Sequence, residues 1–252
     1  MADRWRLRRG ALHERRIQNE YLSAAGRPDL DAWFVERHGE RVLHGPFRGL
    51  AYPPGLVGRV HHLTAKLLGT YEEELAEVLR EEIEQRPPLF VDLGAADGYY
   101  AVGFALASPD TAVHAYEVDP VARRQLRALA RANRARVELH GPANADRLAA
   151  HDLDGALVLC DIEGAEADVL DPEAAPGLAD AVLVVEVHPL PGGGDTEAIM
   201  RRRFEPTHAI DSIRPRERDP AAYRELDGAP GWESALDELR FGRTSWLVMR
   251  PR

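Results

Sequence analysis

Two groups of residues in this sequence have the types and spacing to do chemistry. The first is Asp92-Leu-Gly-Ala-Ala-Asp-Gly98, where two glycines let the backbone approach a ligand and two carboxylates stand beside them. The apolar Leu89-Phe-Val-Asp-Leu93 before the loop and the run from Tyr99 after it read as strand, tight turn and helix, the plan of a nucleotide-type cofactor site. A dinucleotide site wants G-x-G-x-x-G to receive a pyrophosphate at a helix N-terminus, whereas the spacing here is G-x-x-x-G and Asp92 and Asp97 would repel a pyrophosphate. The same carboxylates attract a ligand bearing an ammonium and a sulfonium, which favours S-adenosylmethionine over NAD. Glu117 closes the strand Ala112-Val-His-Ala-Tyr116, about 20 residues after the loop, where an acidic residue holds ribose hydroxyls. Asn144, after the third strand, is placed to meet the adenine edge. The expected cofactor lining is therefore Asp92, Gly94, Ala95, Asp97, Gly98, Tyr99, Glu117, Val118 and Asn144.

The second group is Asp161, Glu186 and His188. Ligands of open α/β sheets bind outside the carboxyl ends of the strands, so Asp161 after the fourth strand should converge there with Glu186 and His188 at the end of the fifth. Glu186 and His188 are two apart in an extended segment and point to one side. His188 has the intrinsic pKa of a general base. Alternatively the three form a site for Mg²⁺ that binds a substrate diol, and a mixed His/carboxylate set also accepts Mn²⁺, Zn²⁺ or Fe²⁺. The plainer reading is that Asp161 caps a helix and His188 satisfies backbone groups beside Pro189. His61-His62 precedes the glycine loop and offers His62 as a further base or ligand, while Asp219 and Trp232 are candidates for the pocket wall.

These residues need a scaffold, and the apolar pattern supplies one. From residue 89 onward short apolar strands alternate with helical segments, which predicts a doubly wound, Rossmann-like α/β fold with a mostly parallel seven-stranded sheet. Strands are expected at 89–93, 112–116, 136–140, 156–161, 181–187, 206–211 and 244–249, and helices at 98–107, 119–133, 144–150, 164–170 and 195–203. Upstream, helices are expected at 1–25 and 28–39 around Gly26-Arg-Pro28, followed by a Gly/Pro-punctuated stretch at 39–58, a short helix over 61–68 and another begun by Thr70-Tyr-Glu-Glu-Glu74. This divides the chain into an N-terminal helical extension or lid, 1–65, and a catalytic domain, 66–252.

Bulk properties narrow the classes. With 252 residues and 44% hydrophobic composition the chain can bury a substantial core. A net charge of −10 argues against a general nucleic-acid binder, and the arginine clusters at 4–16, 123–136 and 201–203 read as solvated helix faces. Lys66 is the only lysine and Cys160 the only cysteine, the latter expected as an inert core residue. There is no apolar run of membrane-spanning length and no secretory pattern, so no membrane partner and a cytoplasmic location are expected. The N-terminal helices are expected either to close over the site or to join subunits of a homo-oligomer.

Val91-Asp-Leu-Gly-Ala-Ala-Asp-Gly-Tyr-Tyr100, Cys160-Asp-Ile-Glu-Gly-Ala-Glu166 and Val185-Glu-Val-His188 together resemble the FkbM family of class I methyltransferases over about residues 65–190. The resemblance implies O-methylation of a hydroxylated small molecule, a sugar or natural product. It implies that Asp92, Gly94, Asp97 and Glu117 bind S-adenosylmethionine and that Asp161 and Glu163 face its methyl end. Gly69-Thr-Tyr-Glu-Glu73 is similar to the family's segment before the first strand, which implies that Tyr71 and Glu72 lie near the cofactor. The competing readings are an N-methyltransferase, a nicotinamide-dependent oxidoreductase and a domain that binds the cofactor without turnover.

Overall fold

A computed structural model describes residues 27–188, 194–215, 217–236 and 244–252. The helix expected over 1–25 lies outside the described residues. Seven strands form one sheet: β1 Leu89–Leu93, β2 Ala112–Tyr116, β3 Glu138–His140, β4 Leu157–Cys160, β5 Val182–Val187, β6 His208–Ile213 and β7 Ser245–Pro251. Their order is β3-β2-β1-β4-β5-β7-β6. The first five strands pair in parallel and β7 runs antiparallel to both neighbours. The chain proceeds outward from β1 to β3, then returns to β4 on the other side of β1. The crevice above the carboxyl ends of β1 and β4 is the topological switch point.

The helices are α1 Arg27–His38, α2 Leu63–Leu68, α3 Ala76–Gln85, α4 Tyr99–Ala107, α5 Pro120–Asn133, α6 Ala145–Leu148, α7 Glu166–Val169, α8 Thr196–Phe204 and α9 Glu233–Leu236. Among the described residues no helix is long and apolar enough to cross a membrane. Central strands are covered on both faces, which is why β4 reads as an unbroken apolar run and β1 as one broken only by Asp92. One face carries Phe90, Ala115, Leu159 and Trp246 against Leu30, Phe34, Phe104 and Leu126. The other carries Val91, Val158, Cys160 and Val185 against Leu148, Leu170, Met200 and Phe204. Burial pushes the Cys160 thiol up, in keeping with an inert core cysteine.

The described part of the N-terminal segment shares the first of these cores. Leu30 and Phe34, one helical turn apart on α1, are buried in it. Asp31 accepts hydrogen bonds from the Thr64 amide and hydroxyl, tying α1 to α2. Gly103 of α4 has its Cα against the Phe47 ring, where a Cβ would lie 2.4 Å from the ring carbon Cγ. Two local expectations are corrected. His61 and His62 precede α2 rather than begin it, His62 being left-handed at φ 53°. The helix expected from Thr70 opens instead as a short 3-10 turn, Glu73–Leu75, followed by α3, without a side-chain cap. The cause is Glu72, whose carboxylate accepts a hydrogen bond from Tyr100 and whose backbone turns left-handed at φ 49°.

Candidate active site

The glycine loop is stitched into the ends of three strands. The amides of Gly94 and Ala95 both donate to the Tyr116 carbonyl at 2.9 and 3.0 Å, and the Asp161 amide donates to the Leu93 carbonyl at 2.9 Å. Gly94 has φ 89°, and a Cβ there would lie 1.8 Å from the Asp161 carbonyl oxygen, so only glycine fits. Gly98, at φ 95°, precedes the first turn of α4. Glu117 accepts from the Ala96 amide at 2.8 Å and the Asp119 amide at 2.7 Å, which fixes its carboxylate beside the loop. Ala95 is buried at the loop, whereas Val118 stands exposed beyond Glu117.

Asp92 is the anomaly of the loop. It is 1% exposed, and neither carboxylate oxygen makes a hydrogen bond. Burial and then the Glu117 charge push its pKa up to about 8, with Asp97 and Glu72 adding to the effect and the Ala101 amide exerting a smaller downward pull. An orphaned buried carboxylate is costly unless a ligand completes it.

Asp97 is placed differently from the sequence expectation. Lys66 Nζ donates to one of its oxygens at 2.5 Å and Tyr52 OH to the other at 2.9 Å, all three side chains being buried. Its charge is thus matched from within the chain, by a residue pair that the sequence reading missed. Lys66 also lies 4.8 Å from the centroid of the Tyr71 ring, a cation–π distance. Tyr71 in turn meets Tyr99 edge-on at 5.6 Å, and His62 packs at 5.7 Å from Tyr71 rather than among the acids of β4 and β5. Glu72 reaches the crevice itself, where its charge raises the pKa of both Asp92 and Asp161. Asn144 caps α6, accepting from the Arg147 amide at 2.9 Å. Asp219 caps a 3-10 turn at Pro220–Ala222.

At the other side of the crevice Asp161, Glu186 and His188 meet as expected. His188 Nδ1 is 2.9 Å from Glu166 Oε1, and Nε2 lies 3.4 Å from Glu186, 3.6 Å from Glu163 and 3.7 Å from Asp161. Glu166 is fully buried and also accepts from the Gly164 amide at 3.1 Å. Burial pulls the imidazole down, but hydrogen bonds to Glu166 and Glu186 and the Asp161 charge outweigh it and push its pKa up to about 12. His188 is thus an imidazolium at neutral pH, not the neutral base its intrinsic pKa suggested. Burial and the Glu186 charge hold Asp161 well above the usual carboxylate range, and its Oδ1 has no hydrogen bond. One ligand atom from each of Asp161, Glu186 and His188 falls within 4.8 Å of the others. Neither the helix-capping role for Asp161 nor the backbone role for the His188 ring is what the geometry shows. The role of Glu166 was missed although it stands in the quoted Cys160-to-Glu166 motif.

Sheet order defines a doubly wound, Rossmann-like α/β protein with a cluster of acidic side chains at the switch point. No family model matches the chain and no curated protein matches it. Among solved structures, cofactor-bound Rv0187 from MTB aligns with a TM-score of 0.52 at 17% identity, covering 89% of this chain and 97% of that one, and shares its fold. An O-methyltransferase from Bacillus cereus, solved with SAH, aligns at 12% identity and TM-score 0.47 over 75% of this chain and 95% of that one. The O-methyltransferase TomG from Streptomyces achromogenes, solved with SAM, aligns at 16% identity and TM-score 0.46 over 81% and 82%.

Proposed function

We propose that the protein is an S-adenosylmethionine-dependent O-methyltransferase of FkbM type, acting on a hydroxyl of a small molecule such as a sugar or natural product. The observation that carries this reading is Asp92: a buried carboxylate without a hydrogen bond, in the field of Glu117 and Glu72, at a glycine turn on the switch point. A ligand with a positive charge relieves that crowding, and a pyrophosphate would worsen it. Rv0187, which has the same fold, was solved with a cofactor bound, in keeping with a cofactor for this chain.

When bound, S-adenosylmethionine supplies an electrophilic methyl group on its sulfonium. The residues of the chain do the rest. Asp92 and Glu72 attract the cationic end, and Glu117, fixed by two amides beside the loop, would meet the ribose hydroxyls. Asp161, whose Oδ1 makes no hydrogen bond, is placed to accept a hydrogen bond from the acceptor hydroxyl and orient it. The His188 imidazolium, fixed by Glu166, holds Glu186, Glu163 and Asp161 around the acceptor. Positioning of the oxygen in line with the methyl carbon is the larger part of such catalysis.

A second reading is favoured by the absence of a hydrogen bond at Asp161 Oδ1 and the closeness of the three ligand atoms: Asp161, Glu186 and His188 would hold a divalent ion, Mg²⁺, Mn²⁺, Zn²⁺ or Fe²⁺. Such an ion would lower the pKa of a bound substrate diol. Calorimetric titration with S-adenosylhomocysteine tests the main proposal. Micromolar binding to the chelator-treated protein, weakened about a hundredfold or more in Asp92→Ala, is expected from loss of the charge–ligand contact. A folded protein that binds none overturns it.

A further inference from the structure

A second constellation of ligating side chains lies on the far edge of the sheet, away from the crevice. Strand β3 is three residues long and pairs with β2 in the register His114↔Glu138 and Tyr116↔His140. Alternation along extended chain puts His114, Tyr116, Glu138 and His140 on one face. There His114 Nδ1 is 2.9 Å from His140 Nε2, with the two rings within 6° of parallel. Glu138 Oε2 lies 3.7 Å from the first nitrogen and 4.0 Å from the second. All three ligand atoms are within 4.8 Å of one another. His151 closes the group from the loop after α6, its ring 4.7 Å from that of His114 and its Nε2 2.7 Å from Tyr116 OH.

We propose that His114, Glu138 and His140 form a site for a divalent transition ion, with Zn²⁺ its occupant. Two imidazole nitrogens and one carboxylate oxygen suit an ion of borderline softness, whereas Mg²⁺ and Ca²⁺ prefer oxygen throughout. Bonds of about 2.0–2.1 Å at tetrahedral angles put neighbouring ligand atoms roughly 3.3 Å apart. The observed 2.9, 3.7 and 4.0 Å bracket that value, so small ring and carboxylate rotations admit the ion. The two nitrogens share one hydrogen-bond proton, which on metal binding would move to the other nitrogen of its own ring. Neutral imidazole is the ligating form. Glu138 is largely exposed, leaving the fourth position to water. The ion would clamp the short edge strand to β2. This site shares no residue with the proposed catalytic crevice and does not rest on the methyltransferase reading.

The test is calorimetric titration of the full, chelator-treated chain with ZnCl₂. It is done in the Glu186→Gln background, which removes a carboxylate from the other group of possible ligands. One equivalent binding at micromolar or tighter affinity is expected. Glu138→Gln, an exposed change that leaves both rings in place, should weaken binding about tenfold or more. The His114→Ala, His140→Ala double variant, checked by circular dichroism for its fold, should lose it. Absence of binding, or equal binding in Glu138→Gln and the folded double variant, overturns the proposal.

Discussion

His188 donates from Nδ1 to Glu166 Oε1 at 2.9 Å across 22 residues of sequence, and this one bond decides which way the imidazole faces. With Nδ1 committed to a fully buried carboxylate, Nε2 is turned toward Glu186, Glu163 and Asp161. Glu166→Gln keeps the shape of the side chain but removes the carboxylate whose hydrogen bond most strongly favours the imidazolium. The His188 pKa, about 12 in the native chain, is expected to fall by roughly one unit or more, as followed by the ring proton resonances. Methyl transfer should fall with it, while affinity for S-adenosylhomocysteine stays near that of the native chain. An unchanged His188 titration would show that Glu166 does not set the charge of the ring.

The same crevice dictates a pH dependence of stability. Asp92 is raised from 3.8 to about 8 and His188 from 6.5 to about 12, so in both cases the folded chain binds a proton more tightly than the unfolded one. The Asp92 contribution is lost as pH rises from about 4 to 8, and that of His188 as pH rises from about 6.5 to 12. The ligand-free protein should therefore be more stable at pH 6 than at pH 9 by denaturant unfolding. Asp92→Asn should flatten the lower part of that decline. A native chain that grows more stable over this interval would contradict the raised values.

Cofactor binding should carry the opposite slope. An ammonium group bound against Asp92 favours its ionised form, so the affinity for S-adenosylhomocysteine, a net-neutral zwitterion that carries such a group, is expected to rise by up to about tenfold per pH unit from 6 towards 8 and level off above it. In Asp92→Asn that rise should disappear. A flat profile in the native chain would place the ligand's ammonium elsewhere.

Lys66→Met leaves Asp97 buried with only Tyr52 as partner, and removing one member of a buried ion pair costs about 3–5 kcal/mol. Urea unfolding should show that loss, and Asp97→Asn added to it should restore part. Failure of the second change to restore anything would mean that Lys66 acts through packing on Tyr71 and not through its charge.

Gly94→Ala is the sharpest test of the loop. Its Cβ would fall 1.8 Å from the Asp161 carbonyl oxygen at a φ of 89°, and strain and overpacking together are expected to cost about 3 kcal/mol. Because the displaced group is the backbone of Asp161, cofactor binding and transfer should both suffer. A variant as stable as the native chain would mean that the β1 and β4 ends separate easily.

Much of this was legible in the residues. Strands β1, β2, β4 and β5 announce themselves as short, largely apolar segments, and their predicted limits differ from the observed ones by at most a residue. Glu186 and His188 share a side because two residues of extended chain must, and the parallel order then brings Asp161 beside them. What escaped notice depends on contacts remote in sequence. Nothing near Asp97 says that Lys66 and Tyr52 will neutralise it, and Glu166 returns to His188 only because the chain between Glu163, at φ 56°, and α7 turns back. Asn144 was different, since Asn followed at once by Ala-Asp-Arg147 is a recognisable helix start and its capping role was there to be read.

The burial of Lys66 has a practical consequence. It is the chain's only lysine and is 3% exposed, so the folded protein presents no side-chain amine to acylating dyes, reductive alkylation or amine-directed cross-linkers. Appearance of label at position 66 would therefore report opening of the contact between the segment before β1 and the glycine loop. Such labelling provides a chemical clock for that motion, with no engineered probe in the chain.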